Sequence, residues 1–211
     1  MDCQTSYRVQ TRPMPEALDF QPKKHVGIYG GTFNPVHNAH LLVADQVCNA
    51  LTLDKVLWMP DALPPHVDHK NTIDARDRVA MLRRAIAGNP RFELSLMEVN
   101  RGGKSYTIDT VKELKQKHPD TDYYLIIGGD MVDYLPKWHQ IDQLKRLVNF
   151  VGVRRPGARN QSNYPVIWVD VPPVDFSSTD IRRRVKRGLS IRYMVPDDVL
   201  DYIKEHHLYR E

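Results

Sequence analysis

This sequence predicts an α/β fold, a doubly wound parallel sheet with helices on both faces, as a single domain within 211 residues. Three observations carry that reading. From His25 onward, short apolar strands alternate with helix-period segments of about 10–15 residues, the pattern of crossover connections between parallel strands. The clearest strand, Tyr123-Tyr124-Leu125-Ile126-Ile127, is a continuous apolar run, as expected of a strand covered on both faces. A pair of glycines then leaves the first strand where a helix opens, and open sheets of this kind bind ligands at the carboxyl ends of their strands.

In chain order, the first strand is read at 26–29 and the first helix at 41–51, from apolar residues at 41, 44, 47, 48 and 51. A strand at 55–59 precedes a helix at 73–87, which Gly88-Asn89-Pro90 stops. Then come a strand at 92–97, a helix at 108–118 ending before Pro119, and the strong strand at 123–127. A helix at 141–148, strands at 150–153 and 166–171, and helices at 179–187 and 197–206 complete the pattern. Residues 1–24 stand apart. They hold Pro13, Pro15 and Pro22, end in Lys23-Lys24 and keep neither period. They read as an N-terminal extension, flexible or laid over the surface, ahead of a domain at 25–211. No internal repeat or low-complexity tract is evident.

Composition narrows the class. With 41% apolar and 27% charged residues the chain is globular, and it is long enough to bury a core without disulfide or metal staples. No apolar run approaches the ~20 residues that cross a bilayer, and the start lacks a secretory pattern. Cys3 and Cys48 are too few for a disulfide framework, so a reduced, cytoplasmic setting is expected. The formal charge is only +4, but Arg182, Arg183, Arg184, Lys186 and Arg187 run together. Such a cluster suits a polyanion, or simply a solvated helix face.

The loop after the first strand reads Gly30-Gly31-Thr32-Phe33-Asn34-Pro35-Val36-His37-Asn38-Ala39-His40. Glycines let backbone amides approach a ligand, and a helix start offers unpaired N–H groups and a positive dipole end. His37 and His40 are spaced to share a helix face, where two imidazole donors would clamp a polyphosphate. A plain turn would also explain the glycines. A metal would need a third ligand, and His66 and His69 lie after another strand, so no metal site is assigned. Neither a Gly-x-Gly-x-x-Gly fingerprint nor a P-loop is present.

The segment resembles the Gly-Gly-Thr-Phe-Asp-Pro-x-His-x-Gly-His signature of the nucleotidyltransferase superfamily with the His-x-x-His loop. Asn34 stands where that signature has Asp, and Ala39 where it has Gly. A second stretch, Phe176-Ser177-Ser178-Thr179-Asp180-Ile181-Arg182, is a capping box before a helix. It is also similar to the superfamily's Ile-Ser-Ser-Thr-x-Ile-Arg, with Phe176 for Ile. The resemblance implies that Gly30, Gly31, Thr32, Phe33, His37, His40, Gly128, Asp130, Ser178, Thr179 and Arg182 bind ATP. It gives His40, His37 and Arg182 the catalytic roles.

The middle of the chain selects the acceptor. Gly128-Gly129-Asp130 follows the strong strand, Trp138 and His139 follow Leu135-Pro136-Lys137, and Ser105-Tyr106-Thr107-Ile108-Asp109-Thr110 opens another helix. Asp130 reads equally well as a helix cap, and Trp138 as core. Together with the stretches at 150–157 and 193–199, these look like the bacterial nicotinate-nucleotide adenylyltransferases, over about residues 24–209. The departures are Gly129 for a common Ala and His139 for a frequent Tyr; Pro64-Pro65-His66 also resembles a substrate-side element. What the resemblance implies is transfer of AMP from ATP, with Mg²⁺, to nicotinate mononucleotide, which Thr107, Asp109, Trp138 and His139 would hold. No nucleic acid, no membrane and no covalent intermediate is implied, and a homo-oligomer is left open.

Rival readings are a sister transferase acting on nicotinamide mononucleotide, phosphopantetheine or an alcohol phosphate, a nucleotide sensor without turnover, and a nucleic-acid binder. A sensor should have lost one of His37, His40 or Arg182. A nucleic-acid binder should interleave aromatics with its basic run, and 182–187 has none.

Overall fold

A computed structural model describes residues 23–63, 72–154 and 161–210. Six strands form one parallel sheet in the order β3-β2-β1-β4-β5-β6. They are β1 (Lys24–Gly31), β2 (Lys55–Pro60), β3 (Phe92–Leu94), β4 (Thr121–Gly128), β5 (Val148–Val153) and β6 (Val166–Val169). Growth runs outward from β1 to β3, then returns to the other side of β1 with β4. The order therefore reverses between β1 and β4, and their carboxyl ends open a crevice there. The doubly wound α/β expectation holds.

The sheet's faces divide by the strand period of two. Val26, Ile28, Leu57, Met59, Leu125 and Ile127 pack into one core with Ile108, Val111 and Leu114 of α4 (Thr107–Lys117) and Leu144 of α6 (Ile141–Leu144). Val56, Trp58, Ile126 and Val151 point the other way. They meet Ala44, Val47 and Cys48 of α1 (Asn38–Ala50), and Met81 and Leu82 of α2 (Ala75–Ile86). Ile181 of α7 (Ser178–Lys186) and Val199 and Ile203 of α8 (Asp197–Glu205) close that side. Both α4 and α8 owe their position to apolar residues three and four apart, which gives each helix one stripe to bury.

Boundaries shift where local signals were weak. The third strand stops at Leu94 and is followed by a short helix, α3 (Met97–Arg101), where a strand to 97 was expected. Apolar Leu94 and Leu96 extend the strand pattern by eye, but only 92–94 pair with β2. The helix expected at 141–148 is the single turn α6, and Val148 already belongs to β5 beside Tyr123. Between β4 and α6, a stretch read as loop holds α5 (Gly129–Val132) and a 3-10 turn at Leu135–Lys137. Among the described residues no helix is long and apolar enough to cross a membrane.

Candidate active site

The phosphate-type loop runs from the end of β1 to α1 across the carboxyl edge of the sheet. Phe33 adopts φ +48° and buries its ring against Trp58, with centroids 5.5 Å apart. A side chain on Gly31 would meet that ring at 3.2 Å, so any larger residue there would push the Phe33 ring from its place. The Phe33 ring belongs to the core, which leaves its backbone facing the loop.

His37 is the N-cap of α1 and His40 is its third residue. Their rings stack at 3.6 Å between centroids, 15° apart, so the pair shares one face as its spacing predicted. The His37 backbone N–H donates to His40 Nδ1 at 3.2 Å. Because an N–H can only donate, Nδ1 must accept, and the proton of the neutral His40 ring sits on Nε2. Phe176 lies edge-on to His37 at 5.5 Å, which places the second motif beside the first.

Arg182 reaches the same loop from α7. Its Nη1 donates to the Asn34 carbonyl at 2.8 Å and its Nη2 to Thr179 Oγ1 at 3.1 Å. The Ser178 hydroxyl donates to the Pro35 carbonyl at 2.8 Å. Two motifs far apart in sequence are thus one surface. Asn34 is buried, and its side-chain oxygen accepts from the Tyr209 hydroxyl at 2.9 Å. That bond ties the loop to the far end of the chain.

A network that sequence reasoning missed lies under the loop. Arg78 is 1% exposed, the most buried charge among the described residues. It donates to the Thr32 carbonyl at 2.7 Å, to Asp61 Oδ1 at 3.0 Å, and to the Asp61 and Ala62 carbonyls at 2.9 and 3.1 Å. Thr32 Oγ1 donates to Asp61 Oδ2 at 2.8 Å. Burial pushes the Asp61 carboxyl up, against the pull of the Thr32 hydroxyl and the Arg78 charge. The Thr32 hydroxyl proton is committed inward. Arg78 falls in line with buried Met81 and Leu82 on the inner stripe of α2, and a charge in an apolar stripe was the available signal.

Across the switch point, Gly128 caps α5 and Asp130 sits exposed in its first turn. Tyr106 caps α4 and Thr107 begins it. The Tyr106 ring lies 4.5 Å from that of His139, bringing together the two segments expected to hold the acceptor. Trp138 is half-buried against the α4 core, and its indole N–H has no partner among the described residues. Asp109 is exposed. Of the other hydroxyls in this segment, Thr110 donates to Glu98 at 2.8 Å while accepting from Arg101 at 2.9 Å, and Ser105 accepts from Arg101 at 3.2 Å. Burial raises the Glu98 carboxyl. The Pro64-Pro65-His66 element lies outside the described residues, as does the extension up to residue 22.

Residues 28–184 match the family model described as cytidylyltransferase-like. A protein of Enterococcus faecalis, named "Probable nicotinate-nucleotide adenylyltransferase", is 59% identical over 93% of this chain and 90% of its own length. One of the same name from Lactiplantibacillus plantarum is 55% identical over 99% of both chains. The chain belongs to the nicotinate-nucleotide adenylyltransferase family. Its fold is also that of Plasmodium falciparum nicotinic acid mononucleotide adenylyltransferase complexed with NaAD, with a TM-score of 0.75 at 20% identity, over 88% of this chain and 97% of that one. In this chain the histidine pair follows β1 and the Gly128–Asp130 turn follows β4, on the two sides of the switch point.

Proposed function

We propose that this protein transfers AMP from ATP to nicotinate mononucleotide, releasing pyrophosphate and forming nicotinate adenine dinucleotide for NAD biosynthesis. The observation that carries the reading is the meeting of the stacked His37–His40 pair with Arg182 at the sheet's switch point.

The chemistry asks little covalent work of the protein. A phosphate monoester has its second pKa near ~6, so the acceptor is largely a dianion at pH 7 and attacks the α-phosphate without a general base. Position and charge stabilisation remain. His40 presents Nε2–H as a donor to the α-phosphate, where charge grows in the transition state. His37 and Arg182 hold the β,γ end that departs. Thr32 and Phe33 contribute backbone amides along the triphosphate, since the Thr32 hydroxyl and the Phe33 ring are turned inward, and Gly30 and Gly31, which end β1 beside Met59 and Pro60, let the triphosphate come close. Gly128 at the end of β4 and Asp130 in α5 face the nucleoside, and so do Ser178 and Thr179 from the start of α7. Thr107 and Asp109 at the start of α4, with Trp138 and His139, take the pyridine and its carboxylate.

A divalent cation fits as a companion of ATP. Among the described residues no group of three or more His, Cys, Asp or Glu could hold one, and Asp61 is already engaged by Arg78 and Thr32. Triphosphate and water oxygens are the hard ligands that Mg²⁺ prefers. Bound there, Mg²⁺ neutralises triphosphate charge.

The test is pyrophosphate release from Mg·ATP with nicotinate mononucleotide and, separately, nicotinamide mononucleotide. A strong preference for the acid is expected. Equal use would remove the carboxylate site at α4, and release with neither would overturn the assignment.

A further inference from the structure

The phosphate loop is held from outside by the far end of the chain. Helix α8 packs on α2, where the Tyr202 hydroxyl donates to Asp77 at 2.9 Å and Arg84 lies 4.6 Å over the Tyr202 ring. Beyond α8 the backbone turns through positive φ at His207 (53°) and Tyr209 (62°). That reversal lays Leu208 and Tyr209 against the core shared by α1 and α2. It ends with the Tyr209 hydroxyl on Asn34 Oδ1.

Asn34 therefore receives two donors. Tyr209 fixes its side chain, and Arg182 takes its backbone carbonyl. Burial holds the Tyr209 phenol far above the ordinary tyrosine range, so it stays a donor throughout the working pH range. Neither contact uses a phosphate-facing amide. The arrangement fixes the direction of the Asn34 carbonyl; that carbonyl takes one N–H of Arg182 Nη1 and Thr179 Oγ1 takes one of Nη2, which leaves three of the five guanidinium N–H groups to aim at the triphosphate.

We infer that Tyr209 is a positioning residue for ATP, acting through Asn34 to aim the Arg182 guanidinium at the triphosphate. The inference rests on the adenylyl-transfer reading for its consequence in turnover, but it commits to a consequence in binding alone. Phenylalanine at this position keeps the ring and its packing and removes only the donor. Loss of one buried hydrogen bond weakens the held state by roughly 3- to 10-fold.

The experiment measures Mg·ATP affinity by calorimetry for the wild type, Tyr209→Phe, Asn34→Ala and the double variant, with KM for both substrates and thermal melting alongside. Tyr209→Phe is expected to bind Mg·ATP roughly 3- to 10-fold more weakly, with KM for nicotinate mononucleotide unchanged. The double variant should be no weaker than Asn34→Ala, because both changes cut one path. Wild-type affinity in Tyr209→Phe, with or without a lower melting temperature, would make the contact merely structural and overturn the inference. Losses that multiply in the double variant would also overturn it. If the wild type binds Mg·ATP but releases no pyrophosphate, the transfer reading fails while the affinity series still decides the role of Tyr209.

Discussion

The two ends of the crevice are built by different physics. At the β1–α1–α7 end, functional groups are fixed by hydrogen bonds to backbone: Arg182 on Asn34, Ser178 on Pro35, the His37 N–H on His40, and Arg78 on Thr32 and Asp61. At the α4–Trp138 end the contacts run between side chains, the Tyr106 ring on His139 and Arg101 on Ser105 and Thr110, and Tyr106, Asp109 and His139 are exposed. Under the proposed function the first end takes the triphosphate, whose concentrated charge is stabilised only by well-placed donors, and groups fixed on backbone suit that task. A pyridine ring is read by area and a carboxylate, which tolerates a looser wall. The ATP end should accordingly lose more when a single bond is cut.

The largest expected effect tests the foundation of that end. Arg78→Ala leaves Asp61 buried beside the loop without its cation, and breaking such a pair costs about 3–5 kcal/mol. Urea unfolding measures it, and a loss below about 1 kcal/mol, the ceiling for a surface pair, would mean that the loop stands without this network. Next is His40→Ala, expected to lower kcat by roughly 10²–10³ at nearly constant stability, the cost of one donor aimed at developing charge. Unchanged turnover in a folded variant would remove His40 from the transition state.

The same contrast decided what the sequence could say. The strand–helix alternation reflects burial on two faces, and burial is written residue by residue, so nearly every element was legible. The shared face of His37 and His40 and the capping box of α7 were legible too, because both follow from fixed local spacing. Arg78 stood out only as a charge in the apolar stripe of α2, and its role was not legible, since its partners Thr32 and Asp61 lie on two other loops and meet it only through the β1–β2 register. Tyr209 escaped for the same reason, being joined to Asn34 by a backbone reversal at two positive-φ residues with no Gly to mark it. The short strand β3 was overread because Leu96 continues its apolar pattern after the pairing has ended.

A medium effect sharpens the acceptor end. Trp138 is half-buried and packs on the α4 core, so its replacement tests both substrate stacking and fold. Trp138→Ala should raise KM for nicotinate mononucleotide roughly 10-fold, about the value of one aromatic contact, and leave KM for ATP nearly unchanged. Equal shifts for both substrates would assign Trp138 to the core alone.

The smallest expected effect is a pH dependence at the ATP end. Ser177 and Asp180 cap α7 reciprocally: the Ser177 hydroxyl donates to the carboxylate at 2.8 Å and accepts from the Asp180 N–H at 3.2 Å. With Arg183 also donating at 2.6 Å, Asp180 lies below its ordinary value of 3.8, chiefly through the Ser177 hydroxyl. A carboxyl whose folded pKa is depressed stabilises the fold above its unfolded value and loses that contribution as pH falls through the folded one. Thermal melting should therefore decline as pH drops below 3.8, and Asp180→Asn should decline less steeply over that window. Because α7 carries Arg182 and Ser178 to the loop, a loosened cap would also weaken Mg·ATP affinity in the asparagine variant at neutral pH. The pyridine end should keep its KM. A parallel loss at both ends would show that the crevice responds as one rigid wall, and the division drawn between its two halves would fall.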